Sequence, residues 1–154
     1  MEIRRAADED VLAIRAIVEA AYSPYEPRIG RTPAPVTADY PALVVAGDAW
    51  VGVLGGRVVG VLVIRPAGAA LELENVAVDP AYQGRGYGRA LIAFAERRAR
   101  QLGLTEVTLY TNEAMVENLR LYPRLGFVET ERRVADGYRR VFFRKSLDAC
   151  LPES

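Results

Sequence analysis

The sequence predicts an α/β (α+β) fold in one domain. Three observations predict it. Apolar segments with strand-like alternation are interspersed with amphipathic helical segments, and two glycine-containing turns each separate a pair of strand-like segments. The chain has 154 residues and is 51% hydrophobic, which is enough for one core. We expect this domain to span residues 1–148 and residues 149–154 to form a short tail.

The first third of the chain is predicted to hold one strand, one helix and a long loop. Residues 3–6 form the strand, and Asp8 is the expected N-cap of a helix over residues 9–22, whose apolar residues recur every three or four positions. Residues 23–42 contain five prolines and no clean period, which indicates a loop-rich segment with room for one short helix. Long irregular segments in compact domains often carry binding groups.

The middle of the chain is predicted to form a hairpin and a further strand. The hairpin pairs residues 49–54 with 58–64 around Gly55-Gly56, and Pro66-Ala67-Gly68 is expected to break it. The next strand covers residues 71–78. The dipeptide Asp79-Pro80 stops it, because proline lacks a backbone donor.

The remaining elements follow a glycine-rich turn. An amphipathic helix runs from this turn to residue 102 and ends at Gly103. A strand over residues 106–111 and a helix over residues 114–125 come next. The last elements are a hairpin of residues 127–133 and 138–146, joined around residues 135–137.

Composition excludes several classes of function. The 20 basic and 20 acidic residues balance, so nucleic acid and anionic membranes are not expected partners. The absence of histidine excludes Ser-His-Asp and Cys-His catalysis, and no metal is expected. The one cysteine, Cys150, is expected to be an idle thiol in a reducing cytoplasm, and no signal peptide or membrane span is predicted.

The glycine-rich turn, residues 83–89, has the features of an anion site. Alternate glycines let backbone N–H groups approach a ligand, and a helix N-terminus favours phosphate or pyrophosphate. A P-loop is excluded because no lysine is near, and a GxGxxG dinucleotide motif lacks its third glycine in both registers. A third phosphate-binding pattern is Gln-x-x-Gly-x-Gly after a strand that ends in Val-Ala-Val-Asp-Pro. The chain satisfies this pattern with Gln83, Gly86 and Gly88.

Two blocks of this sequence resemble the GCN5-related N-acetyltransferase (GNAT) superfamily. Residues 76–91 are similar to its acetyl-CoA-binding motif, and residues 118–127, which include Tyr122 and Leu125-Gly126-Phe127, are similar to its later helix. The resemblance implies a mixed, mostly antiparallel central sheet of about six or seven strands, with helices on both faces and a splayed strand pair for acetyl-CoA. It implies cofactor contacts at Val76, Ala77, Val78, Gln83, Gly84, Arg85, Gly86, Tyr87, Gly88, Arg89 and Asn118.

The resemblance also implies direct acetyl transfer to an amine in a ternary complex. Tyr122 matches the usual general acid, and Glu72 matches a glutamate of the protein-acetylating branch. Glu74 shares a strand face with Glu72 by alternation, so either residue, or a water, is the expected base. Two departures are Met115, where many members have asparagine, and Pro123, which is expected to kink the helix.

The acceptor is an amine of a small molecule or peptide that the sequence does not identify. Tyr22, Tyr25, Arg28 and Arg31 are predicted to line its site, and paired arginines suit a carboxylate or phosphate. A non-catalytic acyl-CoA-binding or sensing module is the alternative function, and a dinucleotide-binding protein is a third. Several apolar strands leave room for a homodimer.

Overall fold

The computed structural model describes residues 1–147, so Cys150 and the predicted tail lie outside the described residues. The strands are β1 (Glu2–Arg5), β2 (Ala49–Leu54), β3 (Arg57–Ala67), β4 (Ala70–Val78), β5 (Glu106–Asn112), β6 (Val128–Ala135) and β7 (Tyr138–Ser146). The helices are α1 (Val11–Tyr22), α2 (Glu26–Ile29), α3 (Tyr40–Ala46), α4 (Tyr87–Gln101) and α5 (Val116–Arg124). Within residues 1–147, none of these helices has the length and apolar character that a membrane span requires.

The seven strands form one sheet in the order β1-β2-β3-β4-β5-β7-β6. Every neighbouring pair is antiparallel except β4 and β5, which run parallel. The parallel pairing runs from Ala70 opposite Glu106 to Leu73 opposite Leu109 and then ends, although both strands continue. The sheet is therefore mixed and mostly antiparallel, with the splayed strand pair that the resemblance implied.

Helices cover both faces of the sheet, as expected. One face carries α1 and α3, where Ile14 and Val18 pack on Val61 and Val63 of β3. On the opposite face α4 and α5 bury a larger core, which includes Leu62 and Ile64 from the same strand. Successive residues of a strand point to opposite faces, so β3 contributes to both cores and is buried over residues 59–64.

A β-bulge interrupts β4 beside the splay. Val63 of β3 lies opposite Asn75 and Ile64 lies opposite Leu73, so Glu74 is the extra residue. A bulge bends its strand and changes which face the following side chains reach. As a result, Asn75 and Ala77 join the α1 face, whereas Val76 and Val78 pack toward α4.

Three local predictions are wrong in detail. The Asp8 side chain does not cap α1. Instead, Asp10 turns back to accept from the Ala7 N–H at 2.7 Å and pairs with Arg4 at 2.8 Å. The segment over residues 23–42 holds α2, the start of α3 and two short 3-10 turns. Strand β3 continues through Pro66. Its pairing with β2 stops at Val63, so at Pro66 only β4 is a neighbour and a residue without an N–H donor is tolerated.

Candidate active site

Two adjoining clefts open where β4 and β5 separate. The central cleft lies in the gap itself and is walled by the ends of β4 and β5, by α5, by β7 and by residues 29–35. The glycine-loop cleft runs from this gap along residues 83–89 to the start of α4. Five residues line both clefts, so the two are continuous: Tyr22, Val76, Met115, Asn118 and Tyr122.

The glycine-loop cleft is built from backbone. Gly84 and Gly86 have φ of +80° and +88°, a conformation that L side chains rarely adopt, and a Cβ on either would meet no protein atom. Gly86 is the N-cap of α4 and provides no side-chain cap, so first-turn N–H groups are left for a ligand. The positive end of a 15-residue helix dipole lies at the same place. This cradle suits a pyrophosphate.

The other residues predicted to contact the cofactor divide into two groups. Most line the glycine-loop cleft: Val76, Ala77, Val78, Gln83, Gly84, Gly86, Tyr87, Gly88, Arg89 and Asn118. The Gln83 side chain donates to the Val78 carbonyl at 3.0 Å and so braces the turn. Arg85 does not line the cleft through its side chain, because its guanidinium lies over the Tyr82 ring at 5.4 Å.

Tyr122 lies at the junction of the two clefts. Its ring packs against Phe127 and Phe143, with centroids 5.8 Å and 5.6 Å away. Burial raises the pKa of its hydroxyl to about 12, so this group stays protonated at neutral pH. Helix α5 continues past Pro123 to Arg124, so the proline does not turn Tyr122 out of the site.

Asn118 and Met115 approach the junction from the same side as Tyr122. The Asn118 amide donates to the Thr111 hydroxyl at 3.1 Å, and that hydroxyl donates to the Met115 sulfur at 3.7 Å. These contacts join the start of α5 to the end of β5 that no longer pairs with β4. Asn118 therefore lines both clefts one turn before Tyr122.

Glu72 and Glu74 lie beside each other but differ in environment. Both carboxylates pair with Arg65, at 3.3 Å for Glu72 and 2.5 Å for Glu74. Only Glu74 lines the central cleft, and its side chain is 27% exposed against 42% for Glu72. Burial raises the pKa of Glu74, against the opposing effect of Arg65. A carboxylate with a raised pKa is a better proton acceptor at neutral pH.

Tyr22 lines both clefts at their junction, and Tyr25 lies close to it in the chain. The Tyr22 hydroxyl donates to Asn75 at 2.8 Å, and the Asn75 amide donates to the Tyr40 hydroxyl at 3.1 Å. Tyr40 in turn donates to the Pro35 carbonyl at 2.6 Å, so this chain of bonds ties residues 29–35 to β4. Burial also raises the pKa of Tyr22. Tyr25 lines the glycine-loop cleft only.

Arg28 and Arg31 do not line either cleft. Arg28 pairs with Glu117 of α5 at 3.0 Å, and Arg31 lies over the Tyr138 ring at 4.2 Å. Both line a separate pocket beside the β6–β7 turn. These contacts hold the segment after α1 against α5 and β7. The prediction that Arg28 and Arg31 line the acceptor site is therefore not carried further.

The sequence did not single out three residues that the fold brings to the central cleft. They are Tyr110 of β5 and Tyr138 and Arg140 of β7. All three lie on the sheet face opposite α5 and line the central cleft together with Glu74. Their strands were predicted, but nothing in their local pattern separates them from ordinary strand residues. Among residues 1–147 no three metal-ligating side chains cluster.

Three comparisons place these features among known proteins. The family model described as the Acetyltransferase (GNAT) family matches residues 14–127. Among curated proteins, rat N-acetyltransferase family 8 member 2 is 31% identical over 90 residues, which cover 54% of this chain and 40% of that protein. The chain therefore spans less than half the length of this curated relative.

Solved structures share the fold over nearly the whole chain. The PaiA N-acetyltransferase of Thermoplasma acidophilum, in complex with coenzyme A, has a TM-score of 0.78 at 16% identity and covers 95% of this chain and 98% of its own. The YncA structure of Salmonella typhimurium, described as a putative acetyltransferase with acetyl-CoA, has a TM-score of 0.72 at 24% identity and covers 96% and 94%. At these identities the likeness establishes the fold.

Proposed function

Because the chain belongs to the GNAT family of acetyltransferases, we propose that it transfers an acetyl group from acetyl-CoA to a primary amine of a small molecule or peptide. One observation carries this proposal. The gap between β4 and β5 joins a backbone anion cradle to a cleft that holds both a protonated phenol and a carboxylate, Tyr122 and Glu74. Such groups can accept the proton of the amine and stabilise the charge on the leaving sulfur.

The residues of the glycine-loop cleft fit acetyl-CoA. Residues 84–89 and the first turn of α4 would hold its pyrophosphate, since their N–H groups have no side-chain cap and adjoin open space. The unpaired edge of β4 beyond Leu73 offers backbone groups to an extended arm, as a sheet edge does to an added strand. Acetyl-CoA would supply the activated acetyl group as a thioester.

Glu74 is the proposed proton acceptor. The amine nitrogen forms a bond to the acetyl carbon, the carbon–sulfur bond breaks, and the proton lost by the nitrogen passes to Glu74, directly or through water. Glu74 is the better choice than Glu72 because it lines the central cleft and has a pKa raised by burial. Arg65 holds both carboxylates in place.

Tyr122 is the proposed hydrogen-bond donor to the leaving sulfur. Its pKa of about 12 lies well above the value of about 8.5 that is usual for a thiol. Complete proton transfer from Tyr122 to the thiolate is therefore unfavourable, and the thiolate takes its proton finally from solvent. A hydrogen bond from the buried hydroxyl stabilises the charge that develops on sulfur.

The proposal is tested by ligand stabilisation and thiol release. Purified protein is melted with and without acetyl-CoA, and free thiol is then followed over a panel of amines and amino acids. Stabilisation with amine-dependent thiol release supports the enzyme. Stabilisation without release over the whole panel favours the acyl-CoA-sensing module, which Met115 permits, and stabilisation by NAD instead would favour dinucleotide binding.

Two further expectations stay predictions. A homodimer is compatible with β6, an edge strand that exposes Val128 and Val134, and light scattering of the purified protein would test it. A cytoplasmic location is the other, and fractionation of cells would test that.

A further inference from the structure

Arg140 is a buried cation on the wall of the central cleft. The residue is 9% exposed and is the third residue of β7, where it lies opposite Asn112, the last residue of β5. Charged side chains are rarely buried unless they are paired, because desolvation of the charge is costly. The contacts of Arg140 therefore indicate what the site is built to receive.

The protein satisfies little of the hydrogen-bonding capacity of Arg140. A guanidinium carries five N–H donors. In the described part of the chain, its one side-chain acceptor is Asp136, at 3.1 Å, and Asp136 is itself 83% exposed. The remaining contacts are with the rings of Tyr110 and Tyr138, whose centroids lie 4.1 Å and 5.5 Å from the guanidinium carbon. Ring contacts stabilise the cation but leave its N–H donors free for an anion.

Glu74 provides a negative charge in the same cleft, and Arg140 does not pair with it. Glu74 follows the pair Leu73–Leu109, whereas Arg140 is level with Asn112. Two strand spacings and an offset of two residues would separate their Cα atoms by roughly 12 Å in a paired sheet, and the separation of β4 from β5 adds to that distance. Both charged groups line the cleft and no ion pair joins them, so a ligand that carries both an amine and an anion can contact each of them.

The roof of the cleft limits the size of this ligand. The Tyr138 hydroxyl donates to the Thr32 carbonyl at 2.6 Å, and Pro33 and Pro35 line the cleft from the same segment. These contacts hold residues 29–35 over Arg140, with apolar and aromatic walls beside the charges. A small molecule with a compact body fits better than an extended peptide.

We propose that Arg140 binds a carboxylate of the acceptor, and that the acceptor is a free amino acid or another small amino carboxylate whose amine lies toward Glu74. This inference rests on the proposed function for the role of Glu74. A planar guanidinium matches a carboxylate with two parallel N–H···O bonds, which gives both affinity and orientation. The sequence predicted that Arg28 and Arg31 bind an anionic group of the acceptor. We assign that role to Arg140 instead.

The test measures binding separately from turnover. Protein saturated with CoA is titrated by calorimetry with L-amino acids, each compared with its carboxamide. For at least one amino acid we expect the acid to bind roughly tenfold or more tightly than its amide, since hydrogen bonds to charged groups are among the strong ones. Arg140→Gln should bring that ratio close to one, and Arg144→Gln, on the same face of β7 but paired with Glu106, should leave it unchanged.

A second variant keeps the proposal testable even if Arg140→Gln does not fold. Asp136→Asn removes the carboxylate that competes for Arg140, and asparagine tolerates the left-handed backbone found there, at φ +52°. The preference for acid over amide should hold or rise in this variant. A fall in that preference would overturn the proposal, as would equal binding of acids and amides, no binding of any amino acid, or a ratio that survives Arg140→Gln.

The outcomes separate the two proposals. Thiol release with amines that lack a carboxylate, without any preference for acids, would support the acetyltransferase and overturn the role of Arg140. A preference that depends on Arg140, without thiol release, would support the carboxylate site and count against acetyl transfer.

Discussion

Glu74 and Tyr122 line one central cleft from opposite faces of the sheet. Glu74 is the extra residue of the bulge in β4, and Tyr122 reaches the cleft from α5. They meet because β4 and β5 stop pairing after Leu73 and Leu109. The opening in the sheet therefore brings side chains from both faces to one cleft.

Tyr122→Phe should lower kcat by about 10-fold to 100-fold with little change in the KM for acetyl-CoA. The substitution removes the hydroxyl but keeps the ring that packs on Phe127 and Phe143. Steady-state kinetics with a fixed amine would measure both constants. Unchanged turnover would remove the hydroxyl from the mechanism.

Glu74→Gln should lower activity and remove the acid limb of the pH–rate profile. Because burial raises the pKa of Glu74, that limb should lie above the usual glutamate range. Glu72→Gln is the matched control, since it also pairs with Arg65 but does not line the central cleft. The acceptor ammonium gives a separate limb at higher pH in both proteins, so only persistence of the glutamate limb in Glu74→Gln would assign the base elsewhere.

The same substitution has an expected effect on stability. A carboxyl whose pKa is higher in the folded state binds its proton more tightly when folded, so ionisation above that pKa disfavours folding. At neutral pH, Glu74→Gln should hold or raise the melting temperature, whereas a lost structural contact would lower it.

Gly86→Ala should raise the KM for acetyl-CoA by roughly tenfold. The new Cβ would project into open space at the start of α4, where the ligand is expected, from a backbone with φ +88°. Gly103→Ala is the control, because Gly103 follows the other end of α4 with φ +74° and also has no protein atom near its Cβ. Both variants should lose a similar, small amount of stability, and equal KM values would contradict the anion cradle.

Asp10→Asn should lower the free energy of unfolding by about 2 kcal/mol. The loss is not larger because Arg4 is half-exposed, so water screens its ion pair with Asp10. The Asp10 carboxylate accepts from two nitrogens of Arg4 and from the Ala7 N–H, and these bonds lower its pKa. Stability from such a group is present above its unfolded pKa and is lost as pH falls through the folded value. Urea unfolding of both proteins from pH 7 to 3 should therefore converge in acid. Asp8→Asn, an exposed neighbour, should change little.

Local patterns in the sequence predicted the elements and most residues of the glycine-loop cleft. Alternation and helical spacing are short-range properties, so α1, β4, α4 and both hairpins lie where they were expected within a few residues. The glycine-loop cleft was also predictable, because its shape depends on backbone conformation within one turn, at Gly84 and Gly86.

Only the tertiary structure decided which side chains share the central cleft. The bulge at Glu74 and the end of pairing after Leu73 depend on register between strands, which no single segment encodes. Arg28 and Arg31 had the composition of an anion site but found partners in Glu117 and Tyr138. Arg140 resembled an ordinary strand residue until β7 paired with β5 and placed it beside the splay. The sequence by itself thus determined the elements and the anion cradle, and long-range packing decided which charges face each other across the gap.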